Sequence, residues 1–174
     1  MMPECYHDPK RKHLFHGDIT ICAMIQKDGQ KYIVRRPPMT ETIKDINDRV
    51  KRMVSNAITW ASDDDTVDKI EHWQSHANRI LSDEDYHTHD DCDGFALTSA
   101  ELCKHYGIDP SLIRIVFCEI PNTGYHLVCS VDDPDENTTW VHCNNERRVV
   151  KWDDLDYVWI KYMSYDNLGN WFEI

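Results

Sequence analysis

The chain lacks any apolar run long enough to cross a bilayer, and its opening residues, MMPECYHDPKRKH, lack the apolar stretch that a secretory leader needs. Both absences lead to the expectation of a cytoplasmic protein, or one of a host's cytoplasm if the gene is carried by a phage. Basic residues are few: 19 Lys and Arg stand against 31 Asp and Glu, a formal net charge of -12. So acidic a chain has no basic face to displace counterions from a nucleic acid, and an anionic membrane repels it. A protein or peptide partner is the expectation that survives; the sequence leaves oligomeric state open. Cys-x-x-Cys pairs are missing too. The 7 cysteines are odd in number and irregularly spaced, which excludes a disulfide framework and predicts free thiols in a reducing compartment. There is no internal repeat and no low-complexity segment. What is present is enough for one domain: 174 residues, 41% of them hydrophobic, with 6 Trp.

Hydropathy and turn signals divide the chain. After a polar arm, Ile19 to Gln26 and Gln30 to Arg35 read as two strands about Lys27-Asp28-Gly29, a hairpin turn signal. Pro37-Pro38 ends this unit, so residues 1–38 are expected to form an arm and β-hairpin appended to a domain over 39–174. Ile43, Ile46, Val50, Met53 and Ala57 then recur at helical steps, with Thr42 and Asp45 as a capping pair. A second helix is predicted from about Val67 to Ala77, and a polar loop over 82–91. A third helix runs from about Cys92 to Tyr106, with Gly107 at its C-terminal cap. Strand candidates follow at Leu112–Ile120, Tyr125–Val131, Thr138–Cys143, Val149–Trp152 and Tyr157–Met163. Helices followed by an antiparallel sheet make an α+β protein.

The chemistry gathers where loop becomes helix, at Asp91-Cys92-Asp93-Gly94-Phe95-Ala96. A thiol at a helix N-terminus lies near the positive end of the dipole and near free N–H groups, which lower its pKa and can hold an oxyanion. Asp91 and Asp93 act against that lowering. A cysteine nucleophile needs a base on another element, and His126, in Gly124-Tyr125-His126-Leu127-Val128, is the candidate. The imidazole needs an orienting acceptor, and Asn144, in Val141-His142-Cys143-Asn144-Asn145, can serve. Trp73 can pack in the core or help line the cleft, and the core is the simpler reading; the other tryptophans read most simply as core or rim aromatics, and the remaining cysteines as small buried hydrophobes. His87, His89 and Cys92 are candidate zinc ligands, with His142 and Cys143 as possible additions. The set lacks Cys-x-x-Cys, and the His72 and His76 pair lacks the His-Glu-x-x-His order, so no metal is expected.

Several motifs stand in a recognisable order. Ile46-Asn47 lies on the first helix, followed by Glu71-His72-Trp73, then Asp91-Cys92-Asp93-Gly94-Phe95-Ala96 and Tyr106-Gly107-Ile108. His126-Leu127-Val128, Val141-His142-Cys143-Asn144, Trp152 and Gly169-Asn170-Trp171 complete the set. Over roughly residues 40–174 the chain resembles the bacterial transglutaminase-like cysteine peptidases, whose nucleophile helix opens with Gly-Asp-Cys-Glu-Asp-Tyr-Ala. The resemblance implies a papain-like, transglutaminase-like fold and a Cys-His-Asp type triad. It implies acyl transfer from an amide in a protein or peptide, to water or to an amine. No cofactor is implied, although some relatives use calcium. Two departures accompany it. Asp90 stands where the family has Gly. The family's third triad residue is usually Asp, and here the literal frame gives Cys143, a shift of one residue gives Asn144, and Asn145 is the next choice. Asn can orient a histidine, whereas Cys is a weak acceptor. The competing expectation is a fold retained as a catalytically inactive binding or structural module.

Overall fold

A computed structural model describes residues 22–27, 30–35, 41–61 and 73–174. Strands β1 (Cys22–Lys27) and β2 (Gln30–Arg35) pair antiparallel, Lys27 opposite Gln30. This pair belongs to a unit distinct from the one that begins at Glu41.

In the larger unit, helix α1 (Ile43–Ala57) starts where its sequence requires. Thr42 Oγ1 accepts the Asp45 N–H at 3.1 Å, and Asp45 Oδ2 accepts the Thr42 N–H at 3.1 Å, a closed capping box. Ile46, Val50, Val54 and Ala57 form its buried stripe. Two polar residues, Asn47 and Lys51, share the burial and reach the far end of the sheet described below. Strand β3 (Ile58–Trp60) follows directly.

Of the second predicted helix, residues 67–72 lie outside the described residues. Trp73 to His76 are not helical, and helix α2 spans Ala77–Ser82. The His76 N–H is taken by Thr98 Oγ1 at 2.9 Å instead of by a helical carbonyl. The loop expected over 82–91 contains strand β4 (Thr88–Asp90), which pairs in parallel with β3, Trp60 opposite Asp90. Helix α3 (Cys92–His105) begins two residues after that pairing and ends against Gly107, whose φ of +98° supplies the left-handed cap.

The sheet is antiparallel throughout. Strands β5 (Ile113–Ile120), β6 (Gly124–Asp133), β7 (Thr138–His142), β8 (Val150–Lys151), β9 (Val158–Ser164) and β10 (Phe172–Glu173) lie in the order β10-β9-β5-β6-β7-β8. Strand alternation divides its residues between two apolar layers. Ile113, Ile115, Leu127, Cys129 and Val131 pack with the stripe of α1 and with Phe95, Ala96, Ala100 and Leu102 of α3. Val116, Cys118, Val128, Val141 and Cys143 pack with Trp152, Tyr157 and Trp159. Each side chain so enclosed contributes about 1.5–3 kcal/mol. Among the described residues no helix is long and apolar enough to cross a membrane. Cys92, Cys103, Cys118, Cys129 and Cys143 are free thiols.

Candidate active site

Cys92 is the first helical residue of α3, with Asp91 as its N-cap: Asp91 Oδ1 accepts the Asp93 N–H at 3.1 Å. His126 lies on β6, opposite Cys118 of β5 and two residues beyond Gly124. Gly124, with φ of +112°, completes the turn that brings β6 back from β5. Cys92 and His126 line one cleft of about 340 Å³. Trp73, Phe117, Tyr125, Leu127, Lys161 and Trp171 line it too, together with Asp91 and Asp93.

Trp73, for which the sequence favours the core over a cleft wall, is 39% exposed, lines the cleft and meets Trp171 edge-on, ring centroids 6.4 Å apart. Phe117 stacks on Tyr125 at 5.3 Å, and Lys161 Nζ stands 4.8 Å from the Trp171 ring centre and 5.4 Å from that of Phe117. Sequence reasoning missed Phe117, Tyr125, Lys161 and Trp171 as cleft residues. They come from β5, β6, β9 and the C-terminal segment, and only the sheet order brings them together. Trp171 had a signal, since it belongs to the Gly-x-Trp quoted above.

The two reactive groups are both neutral at rest. Burial pushes the Cys92 thiol up to about 11, with the charges of Asp91 and Asp93 acting in the same direction. The N–H groups of Leu127 and of Cys92 itself face the sulfur and oppose the shift. The lowering expected from the helix terminus is therefore outweighed by loss of solvent and by two adjacent carboxylates. Burial also lowers the His126 pKa, against smaller upward pulls from a hydrogen bond with Asn144 and from Asp91. A neutral imidazole is the form that can accept a proton.

Two candidates for the third position both reach His126. Cys143 Sγ is 3.4 Å from His126 Nε2 and 3.6 Å from the Tyr157 hydroxyl. Asn144 Oδ1 is buried without a completed hydrogen bond among the described residues, yet its amide draws the His126 pKa upward. Asn145 follows in the turn. Helix α1 fixes this strand end through the two polar residues of its buried stripe. Asn47 Oδ1 accepts from His142 Nε2 at 2.5 Å, and Lys51 Nζ donates to the Cys143 carbonyl at 2.6 Å.

Of the zinc candidates, His142 is thus held by Asn47, and His87, His89 and Cys92 do not converge. Among the described residues the only converging group of possible ligands is Asp90, Asp91 and Asp93, with ligand atoms within 4.8 Å of one another. Both Asp90 oxygens are engaged, one by His76 Nε2 at 2.6 Å and one by the Asp91 N–H at 2.9 Å. Asp91 Oδ1 likewise accepts the Asp93 N–H, and carboxylate oxygens gathered in this way suit calcium better than a soft metal.

The family model for the bacterial transglutaminase-like cysteine proteinases matches residues 17–174. Among solved structures, Legionella pneumophila LapG superposes with a TM-score of 0.59 at 16% identity, covering 77% of this chain and 70% of that one. Calcium-bound LapG superposes with a TM-score of 0.60 at the same identity and coverage. No curated protein sequence matches the chain. At this identity LapG establishes the papain-like, transglutaminase-like fold, and the family model establishes the relationship: the chain belongs to the bacterial transglutaminase-like cysteine proteinases and is a cysteine peptidase of that type.

Proposed function

We propose that Cys92, His126 and Asn144 form the catalytic triad of an amide-cleaving enzyme acting on a protein or peptide. The observation that carries this reading is the shared cleft, in which a thiol at a helix N-terminus and a neutral imidazole face the same 340 Å³. With Cys143 against Nε2, the nitrogen turned to the cleft is Nδ1. Cys92 Sγ attacks the amide carbon as its proton passes to Nδ1. The carbonyl oxygen becomes the oxyanion, and the N–H groups of Cys92 and Leu127, which face the sulfur at rest, are placed to receive it. The C–N bond breaks, His126 returns the proton to the leaving amine, and a thioester remains on Cys92. Water or an amine, deprotonated by His126, releases the acyl group.

Nε2 must carry the second imidazole proton throughout. Asn144 Oδ1 is the stronger acceptor for it, and its contact with the ring shortens as imidazolium forms, whereas Cys143 sulfur is a weak acceptor. Calcium, which one LapG structure carries, would be held here by the carboxylates gathered at Asp90, Asp91 and Asp93. It would supply positive charge beside Cys92 and offset the repulsion that raises the thiol. The free thiols fit a reducing compartment.

The competing reading, an inactive module, draws on the departure at the third triad position, where Cys143 Sγ lies 3.4 Å from His126 Nε2, and on the elevation of Cys92 to about 11. Alkylation of Cys92 by iodoacetamide at pH 7, with the labelled residue assigned by mass spectrometry, separates the two. His126→Ala is expected to slow the reaction on the order of tenfold or more, as loss of a general base does. Asn144→Ala is expected to slow it more than Cys143→Ala. Equal rates in the parent and His126→Ala would remove the triad and leave the module.

A further inference from the structure

The two principal helices begin differently. In α1 the residue three positions into the helix, Asp45, accepts the N–H of its own N-cap, Thr42. In α3 the corresponding residue is Gly94, which has no side chain to do this. The N-cap N–H of Asp91 goes instead to Asp90 Oδ1, at 2.9 Å, from the residue immediately before. The space confirms the substitution: a Cβ built on Gly94 would lie 1.8 Å from Asp90 Oδ2 and 2.3 Å from its Cγ. The Asp90 carboxylate thus occupies the place a side chain at position 94 would take. The family motif quoted above, Gly-Asp-Cys-Glu-Asp-Tyr-Ala, has Gly and Asp at these two positions the other way round.

Asp90 is held from three directions. His76 Nε2 donates to Oδ2 at 2.6 Å, and Tyr86 Oη lies 2.9 Å from His76 Nδ1. The carboxylate can only accept, so Nε2 carries the proton of this contact. The Asp90 carbonyl accepts the Ala61 N–H at 2.9 Å, beyond the parallel pairing with β3. Asp90 is 3% exposed and His76 6%.

We propose that Asp90, braced by His76, is a positioning residue for the nucleophile. It closes the first turn of α3 from outside the helix and so fixes Cys92 and its N–H relative to His126 and Leu127. The proposal rests on the Cys92–His126 reading above and adds to it a residue that touches neither substrate nor sulfur. A displacement of about 1 Å at a reacting atom lowers a rate roughly a hundredfold, so a slack first turn registers in reactivity.

The test is a reciprocal exchange. Asp90→Gly, Gly94→Asp and Asp90→Gly/Gly94→Asp are each made with and without His126→Ala. Cys92 alkylation by iodoacetamide gives the acceleration due to His126 as a ratio of rates. Amide exchange of residues 91–95 and thermal unfolding are followed in parallel. Asp90→Gly is expected to cut the ratio on the order of tenfold and to speed exchange. Gly94→Asp alone is expected to unfold at lower temperature, because its Cβ collides with Asp90. The double variant, with a capping box like that of α1, is expected to regain both the ratio and the protection, a recovery that a general loss of stability does not produce. An unchanged ratio in Asp90→Gly, or no recovery in a folded double variant, overturns the proposal. Should the parent show no dependence on His126, the triad fails and exchange alone decides. Protection lost in Asp90→Gly and regained in the double variant upholds the positioning role, and unaltered protection overturns it. If Asp90→Gly does not fold, His76→Gln replaces it, with a loss of about threefold expected and an unchanged ratio overturning the claim.

Discussion

Cys92 is governed by opposing influences a few ångströms from its sulfur. Burial, Asp91 and Asp93 favour the thiol, while two N–H groups favour the thiolate. Neutralising Asp93 removes one charge and leaves the helix cap on Asp91 intact. In Asp93→Asn the Cys92 pKa is therefore expected to fall, giving roughly threefold to tenfold faster alkylation at pH 8. A rate-against-pH curve checks this, and a curve unmoved from the parent's would show that the carboxylate has no influence on the sulfur. The placement of Cys92 at a helix start and of His126 on a later strand was legible in the sequence, because each depends on a pattern local to its own element. The thiol's protonation was not, since it depends on how much solvent the cleft walls exclude. The third position was legible only to within neighbouring residues. Cys143 and Asn144 both reach the ring, from opposite phases of one strand end, and spacing cannot choose between them.

Helix α1 does more than cover the sheet. Asn47 and Lys51, one turn apart, hold His142 and Cys143 and so fix the strand end that carries Asn144. Lys51 is 2% exposed, and burial lowers its pKa to about 8, against smaller upward pulls from Cys143 and Glu146. Between pH 8 and the ordinary value of 10.5 the unfolded chain keeps a proton that the folded chain has lost. Stability due to this residue therefore rises with pH across that window, by about 3 kcal/mol at most. Urea denaturation at pH 7.5 and pH 10 of the parent and Lys51→Met is expected to show the difference moving in the parent's favour. The raised thiols and tyrosines act oppositely in both chains and cancel in the comparison. A difference independent of pH would mean that Lys51 titrates normally. The amphipathic stripe of α1 and its Thr42–Asp45 cap could be read directly. The buried polar residues within the stripe could not, because their partners are more than ninety positions away. The same holds for β3 and β4, each three residues long and paired in parallel across the intervening chain. Strands so short leave no periodicity, and the acidic composition of 82–91 reads as loop.

At the scale of the molecule the fold brings residues far apart in sequence to one cleft. The helical layer supplies Cys92, the sheet supplies His126, and β9 and the C-terminal segment supply Lys161 and Trp171. The order of helices and strands was enough to predict an α+β architecture, and strand boundaries in the sheet fell within a few residues of prediction. The sheet order, with β5 between β6 and β9, was not predictable from strand succession, and it is what forms the cleft. The cleft is aromatic, and its described lining includes Lys161, Asp91 and Asp93, in a chain of net charge -12. Amide cleavage by Cys92 is checked by mass spectrometry of a diverse peptide library incubated with the parent chain and with Cys92→Ala, with and without calcium. New peptide termini at a consistent sequence are expected with the parent and none with Cys92→Ala. Cleavage that persists in Cys92→Ala, or a parent that cleaves nothing in either condition, would contradict amide cleavage by Cys92.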